Sequence, residues 1–546
     1  MIYLKDYSKL EECISEEINK ESSLLQSIYK ETGDSEERVD RFAKLIDGVS
    51  QSDILVLGEN DCAAREPFKI VTQGNKGEYW TQQYIGLLQI TSDGTKEEVF
   101  IRSRFDNESC EFSKYILNKA LGLKANILQN VEPSVGRGEI LDLILAIIFT
   151  MQIARAYRKG IYRRYRTYEN NDSKLKGRID VARHIRLNPI FNGNIAYSSR
   201  EYTADNDMNR MILTAYTSLQ KRQPGRMREL EKKYAPVKDF ISQLKNIMQP
   251  ASRQEARKLV QKERKKITHA VYSDWESVRK TAILILKYMG IAPEDDGTNV
   301  NGILINMNYI WERYLVQIVK EKIENKYQIE GKKSFGIFFP NDQSNESPRE
   351  LKLQPGELKL QPDLVISDKD EPLLIIDAKY KNEWENVASD KLGKPDREDC
   401  FQIMSYMYRA KCKFGGIFCP QTKVQDDGKK SLKEYSIFDA PDEKAPDEKA
   451  TDEKAIVTLF SLQINGIQGS SKEFAEEMEK REDALCGEIL KKIETHEELR
   501  NQEMKKIKDM AVFMNTNGME VKKIAYYLNE SASRIQEWIE ESSIVQ

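Results

Sequence analysis

Two acidic residues and a lysine, Asp363, Asp377 and Lys379, have the types and spacing to hold a divalent cation beside a phosphodiester. Asp363 follows Pro362 and leads into the apolar run Leu364–Ile366. Asp377 follows the apolar run Leu373–Ile376, and Ser367–Pro372 between the two runs is rich in turn formers. A hairpin closed symmetrically about Asp370 puts Asp363 directly opposite Asp377, with Lys379 two residues on along the same face. Facing like charges destabilise a sheet, and a hard cation such as Mg²⁺ (or Mn²⁺) would supply the counter-charge. Phosphodiester hydrolysis needs charge neutralised on a phosphate oxygen, a water made nucleophilic near neutral pH, and help for the leaving oxygen. The two carboxylates and the main-chain carbonyl of Ala378 would hold the metal. Lys379 would orient the attacking water or stabilise the charged transition state.

The bland alternative is a surface hairpin carrying ordinary charges. The pattern alone is weak, because the run Ala440–Lys454 repeats Asp-x-Lys three times at Asp442, Asp447 and Asp452. Those copies have no apolar strand beside them and read as a solvated, disordered insert. The copy at 377–379 follows Leu-Leu-Ile-Ile, as a buried strand reaching a polar edge would.

Two helices must bracket such a hairpin. The first, about Tyr309–Tyr327, has a buried stripe of Trp311, Leu315, Ile318, Val319 and Ile323, with Glu312 at its margin. Glu312 could reach a metal directly or through water, or simply pair with a basic neighbour such as Arg313. On the second, about Glu398–Ala410, Gln402 and Tyr406 are four apart and share a face that could contact a phosphate or the attacking water. By spacing alone they read as ordinary helix surface.

At 546 residues the chain is long enough for about three to four domains. The expected class is multidomain α+β. Residues 1–50 read as a helical extension and 51–110 as a β-rich, partner-binding region with a hairpin at Tyr84–Ile90 and Val99–Phe105. Residues 111–300 read as mostly helical, 301–465 as an α/β domain around the hairpin, and 466–546 as a helical tail. The charged helix at 470–510 is expected to be largely solvated. Val521–Leu528 and Ser531–Ile539 suggest a small helix-turn-helix, for which a packing hairpin is the better reading than a DNA reader.

Seven cysteines without a C-x-x-C pair and three histidines argue against a disulfide framework or a zinc finger, and a reducing cytoplasm is expected. The most apolar stretch, Ile140–Ala154, carries Asp142 and is too short to span a bilayer, so it reads as a core helix and no membrane partner is expected. The sequence has no G-x-x-x-x-G-K-[ST], so it encodes no P-loop motor.

Net charge is −3, so a surface for nucleic acid must be local. Residues 151–190 provide one, with eleven Lys and Arg against three acids and four interleaved tyrosines. Arg163, Arg164 and Arg166 are candidates for DNA contact. Arg178 and Arg183 are candidates for DNA or partner contact, and Arg178 with Asp180 leans towards a structural or partner-facing role. An acidic partner or internal ion pairs would use the same composition.

Several stretches together resemble the PD-(D/E)xK nucleases, specifically the McrC family, the nuclease subunit of McrBC-type modification-dependent restriction systems. They are Gln361-Pro-Asp363 with Ile375–Lys381, Phe401–Met407, Gly160–Tyr165, Leu175–His184, Arg200–Arg210, Met307–Glu312 and Tyr84–Gly86. The resemblance covers roughly residues 80–465. It implies that Asp363, Asp377 and Lys379 are the catalytic trio, with Glu312, Gln402 and Tyr406 in support. It also implies a Mg-dependent double-stranded DNA endonuclease of an anti-phage defence system. Such a subunit stimulates a separately encoded McrB-like AAA+ GTPase hexamer that translocates DNA. The first 50 residues and those after about 465 exceed the resemblance. A stand-alone repair or recombination nuclease, or a non-catalytic activator of an NTPase, are the other readings.

Overall fold

The computed structural model describes residues 2–17, 35–47, 54–58, 69–74, 77–92, 95–107, 109–122, 138–190, 192–289, 299–336, 359–381, 396–422, 433–437, 455–464, 467, 470–528 and 530–544. They form a mixed α/β chain that divides into two compact units. One is Met1–Asn118 with Gly122–Ile310, the other Lys119–Leu121 with Trp311–Gln546. The run 440–454 lies outside the described residues.

The first unit is built on a five-stranded sheet in the order Ile2–Lys5, Thr95–Arg102, Tyr84–Ser92, Asn299–Asn306, Ile54–Leu57. The hairpin expected at 84–105 is its centre. Two expectations are corrected here. Residues 1–50 do not begin as helix: Ile2 and Leu4 point into the core with the period of a strand, a signal only four residues long beside the helices Leu10–Glu17 and Ser35–Asp47. Residues 301–306, expected to open the α/β domain, instead fill the gap between Tyr84–Ser92 and Ile54–Leu57, where Val300 and Leu304 join the core. Gly86 has φ +144°, and a Cβ there would meet the Ile303 carbonyl, so this close strand pairing needs glycine.

Helices dominate the rest of the unit, from Gly138–Tyr157 to Asp274–Tyr288. Gly138–Tyr157 buries Ile144–Phe149 as a core helix, and no helix among the described residues is long and apolar enough to cross a membrane. The basic segment is not helical throughout. Arg164–Asp172 is a strand paired antiparallel with Ile195–Thr203, Arg178–Ile179 pairs on the other side, and Asp180 caps the short helix Val181–Leu187.

The second unit is a six-stranded mixed sheet in the order Gln328–Gly331, Leu364–Asp368, Glu371–Ala378, Phe414–Gln421, Ala455–Gln463, Lys433–Ile437. Its two central junctions, Glu371–Ala378 with Phe414–Gln421 and that strand with Ala455–Gln463, are parallel. Strands buried on both faces read as unbroken apolar runs rather than alternating ones, as Leu373–Ile376 does. Trp311 on the helix Met307–Ile323 stacks on Phe418 at 4.6 Å between ring centroids and donates its indole N–H to the Phe418 carbonyl. The helix Arg397–Ala410 lies against the same sheet through Ile403, Tyr406 and Met407.

The long helix Ser471–Thr516, expected to be solvated, buries Phe474, Met478, Leu485, Ile489 and Ile493. The thin stripe is enough because it packs on the sheet, where His496 stacks on Phe414, and because Glu482 accepts from Tyr314 in the interior. Beyond it, Val521–Leu528 and Ala532–Ile544 close a small core with Ala511, Ile524, Ala525, Ile535 and Trp538.

Candidate active site

The hairpin that carries the acidic pair is set by its turn. Lys369 and Asp370 both have positive φ, +46° and +69°, the two-residue turn whose twist matches that of the strands it joins. Leu364 then faces Ile376, Val365 faces Ile375 and Ile366 faces Leu374. The hairpin does not close symmetrically about Asp370: Asp368 faces Glu371 and Ser367 faces Pro372, and the register shift between Ile366 and Ser367 restores the pairing expected near the site. Continued one step, this register sets Asp363 against Asp377, as the sequence spacing predicts.

Both carboxyls are nearly buried, at 8% exposure for Asp363 and 3% for Asp377. Asp363 Oδ2 accepts from the Ala378 N–H at 2.9 Å, while Lys379 N–H donates to the Phe418 carbonyl on the other neighbouring strand. Backbone groups alternate sides along a strand, so the Ala378 carbonyl points to the Asp363 side. There the residue in register is Pro362, which has no N–H to give. A carbonyl oxygen without a strand donor, next to two carboxylates, is a hard-cation donor set.

Burial, the charge of Asp377 and that of Glu312 push the Asp363 carboxyl well above the ordinary carboxylate range. Burial also raises Asp377, and Lys379 with a hydrogen bond from Asp363 takes back only part of that rise. The Lys379 ammonium lies 2.8 Å from Asp377 Oδ2 and 3.0 Å from Asp399 Oδ1, and donates to Gln402 Oε1 at 2.7 Å. Burial disfavours its charge, but the two carboxylates outweigh that and hold it above its usual range. Gln402 in turn donates to the Tyr406 hydroxyl at 2.6 Å. Burial, then the Asp377 charge, pushes that phenol up to about 12.

Asp363, Asp377, Lys379, Gln402 and Tyr406 therefore meet in one cluster. Glu312 is within electrostatic reach of Asp363, but its carboxylate is paired with Lys332 at 2.7 Å. Among the described residues no three metal-type side chains close on one point, and the groups that could hold a cation here are the Asp363–Asp377 pair and the backbone carbonyl. Asp399, Lys381 and Lys332 were missed from the sequence. The only available signal was Asp399 standing three residues before Gln402 on one helix face. Gly415 gives this helix's side chains room, since a Cβ there would sit 2.4 Å from Met407 Sδ and 3.0 Å from Ile403.

The basic segment looks different. Arg164 pairs with Glu263 at 2.6 Å and Arg166 with Asp205 at 2.7 Å. Arg183 is buried, pairs with Glu169 at 2.8 Å and donates to the carbonyls of Asn170 and Tyr197. Arg163 and Arg178 are exposed. Exposed apolar side chains accompany them, among them Tyr165, Val181, Ile185 and Ile190.

The family model described as McrBC 5-methylcytosine restriction system component matches residues 80–419. Two solved structures are similar in part. One is a half-complex from a tetradecameric assembly of Thermococcus gammatolerans McrB AAA+ hexamers with bound McrC, at 14% identity, 88% of this chain, 99% of that chain and a TM-score of 0.37. The other is the cryo-EM structure of the Thermococcus gammatolerans McrBC complex, at 15% identity, 60% of this chain, 89% of that chain and a TM-score of 0.27. Comparison with curated proteins gave no match. The family match spans well over half of the 546 residues, and the chain belongs to the McrBC 5-methylcytosine restriction system component family.

Proposed function

We propose that this chain is the Mg²⁺- or Mn²⁺-dependent DNA endonuclease subunit of a cytoplasmic restriction system, built on a PD-(D/E)xK domain. It would cut double-stranded DNA in complex with a separately encoded, McrB-like AAA+ GTPase hexamer that it also stimulates. The observation that carries this reading is the buried, mutually repelling pair Asp363 and Asp377 beside Lys379. Two raised carboxyls facing each other weaken a sheet, and a divalent cation is the partner that fits two carboxylates and one carbonyl. When bound, such an ion would neutralise charge on the phosphate and make a coordinated water more acidic.

The chain's own residues do the rest. Asp363, Asp377 and the Ala378 carbonyl would hold the cation, with Glu312 reaching it directly or through water after leaving Lys332. Lys379 would direct an N–H to the attacking water or the non-bridging phosphate oxygen. Gln402 would fix the ammonium, and Tyr406 would fix Gln402. The exposed Arg163 and Arg178, and the outer ends of Arg164 and Arg166, would offer phosphate or partner contacts, while Arg183 would hold that sheet together. The region 51–110 would face the partner.

The test is cleavage of modified and unmodified duplex DNA with Mg²⁺, with and without the GTPase and GTP. Lys379→Ala is expected to keep folding and partner binding while cutting at least about 10²–10³-fold more slowly. Equal cutting by both proteins would refute the assignment.

A further inference from the structure

The Lys379 ammonium donates to Gln402 Oε1 and lies within ion-pair distance of Asp377 Oδ2, at 2.8 Å, and Asp399 Oδ1, at 3.0 Å. Two of these belong to one helix, three residues apart on the same face. The third, Asp377, is a carboxylate that the proposed chemistry also assigns to a cation. An oxygen shared between an ammonium and a divalent ion binds each more weakly, so engaging the cation loosens the Asp377 contact. Something else must then hold the ammonium.

Asp399 is placed to do so. It is 3% exposed, and both of its oxygens accept from Lys381 Nζ at 3.2 Å. Lys381 also pairs at 3.2 Å with Asp396, the N-cap of the same helix. The helix start is thus fastened to the end of the Glu371–Ala378 strand through two lysines, and Gln402 is delivered to Lys379 by the same fastening. We propose that Asp399 is the positioning residue for Lys379: it anchors the ammonium when Asp377 turns to a cation, leaving one N–H for the attacking water or the scissile phosphate. The inference rests on the nuclease reading of the site.

The experiment compares wild type, Asp399→Ala, Asp399→Asn and Lys379→Ala as full-length chains with the GTPase partner, GTP, Mg²⁺ and duplex DNA. Asp399→Ala is expected to lower kcat about 10–100-fold, with KM for DNA within about threefold of wild type. Asp399→Asn is expected to recover most of that loss, because its amide oxygen still accepts from Lys379, but not all of it, because one of the Lys381 contacts is lost. Mn²⁺ affinity of the full-length Asp399→Ala chain, read by calorimetry, is expected to stay within about threefold of wild type. That readout separates positioning from metal ligation.

Wild-type kcat in Asp399→Ala beside an inactive Lys379→Ala overturns the inference alone. Loss of Mn²⁺ binding in Asp399→Ala overturns it as well, by making Asp399 a ligand. If the alanine variant does not fold, the asparagine variant decides: a partial kcat loss at unchanged KM supports the inference, and wild-type kcat overturns it. Absence of Mg²⁺-dependent cutting by wild type, or cutting by Lys379→Ala at the wild-type rate, marks the failure of the nuclease reading itself.

Discussion

The acidic hairpin and the basic segment carry charge in opposite ways. In the segment around Arg164–Thr203 the cations have ordinary partners: Arg164 has Glu263, Arg166 has Asp205, and Arg183 has Glu169 and two carbonyls. In the hairpin, Asp363 and Asp377 are buried against each other, with Glu312 adding a third negative charge nearby. A dense charge run in sequence is thus compatible with plain structural pairing, whereas like charges buried together without enough counter-charge require an explanation from outside the fold. The difference separates a region rich in charge from a region that stores unfavourable electrostatics where a ligand would relieve it.

The sharpest way to break this comparison is to measure what relieves the acidic pair. Because the folded-state pKa of Asp363 is raised, the folded chain keeps a proton that the unfolded chain has already lost above the ordinary carboxylate range. Without a divalent ion, this pair's contribution to stability therefore falls as pH rises through that window. Saturating Mn²⁺ at neutral pH is expected to raise the melting temperature, by about 2.7 kcal/mol of stability at a hundredfold excess over Kd. The rise should shrink as pH falls and the carboxyl regains its proton. Asp363→Asn should remove the Mn²⁺ response while leaving the metal-free protein as stable as wild type or more so. A metal-free Asp363→Asn chain that melts well below wild type would mean the pair is ordinary structure.

The next effect belongs to Arg183. Removing a buried guanidinium loses its hydrogen bonds to the Asn170 and Tyr197 carbonyls and its pair with Glu169, so Arg183→Ala is expected to destabilise its unit by about 1–3 kcal/mol in denaturant melts. The smallest is Arg166→Ala. Its pair with Asp205 is about half exposed on the arginine side, so stability should change by less than about 1 kcal/mol, and any larger effect should appear in salt-dependent DNA or partner binding instead. Equal destabilisation by both variants would erase the distinction drawn between buried and surface cations.

Much of the site was legible because strand geometry is short-ranged. Two apolar runs, a turn-forming link and a period of two point to Asp363 opposite Asp377, although the register shift that completes this pairing was not legible, and a four-residue spacing is sufficient to stack Gln402 and Tyr406 on one helix face. The missed residues depend on packing. Asp399 becomes visible only when its helix settles on the sheet over Gly415, and Lys332 only when its turn brings it to Glu312. The same limit explains why residues 301–306 read as the opening of the α/β domain: local pattern does not say that Tyr84–Ser92 and Ile54–Leu57, more than 200 residues earlier, are the strands they join.

By itself, the sequence determined the chemistry available to this chain: which carboxylates face each other, which lysine follows them, and the absence of a P-loop of its own. The tertiary structure alone decided how those groups are held. It buried the acidic pair so that both carboxyls are raised, brought Gln402 and Asp399 to the Lys379 ammonium from a second helix, and turned Arg183 inward. Local periodicity fixes the direction of a side chain, but burial and charge balance depend on the whole set of surfaces that pack around it.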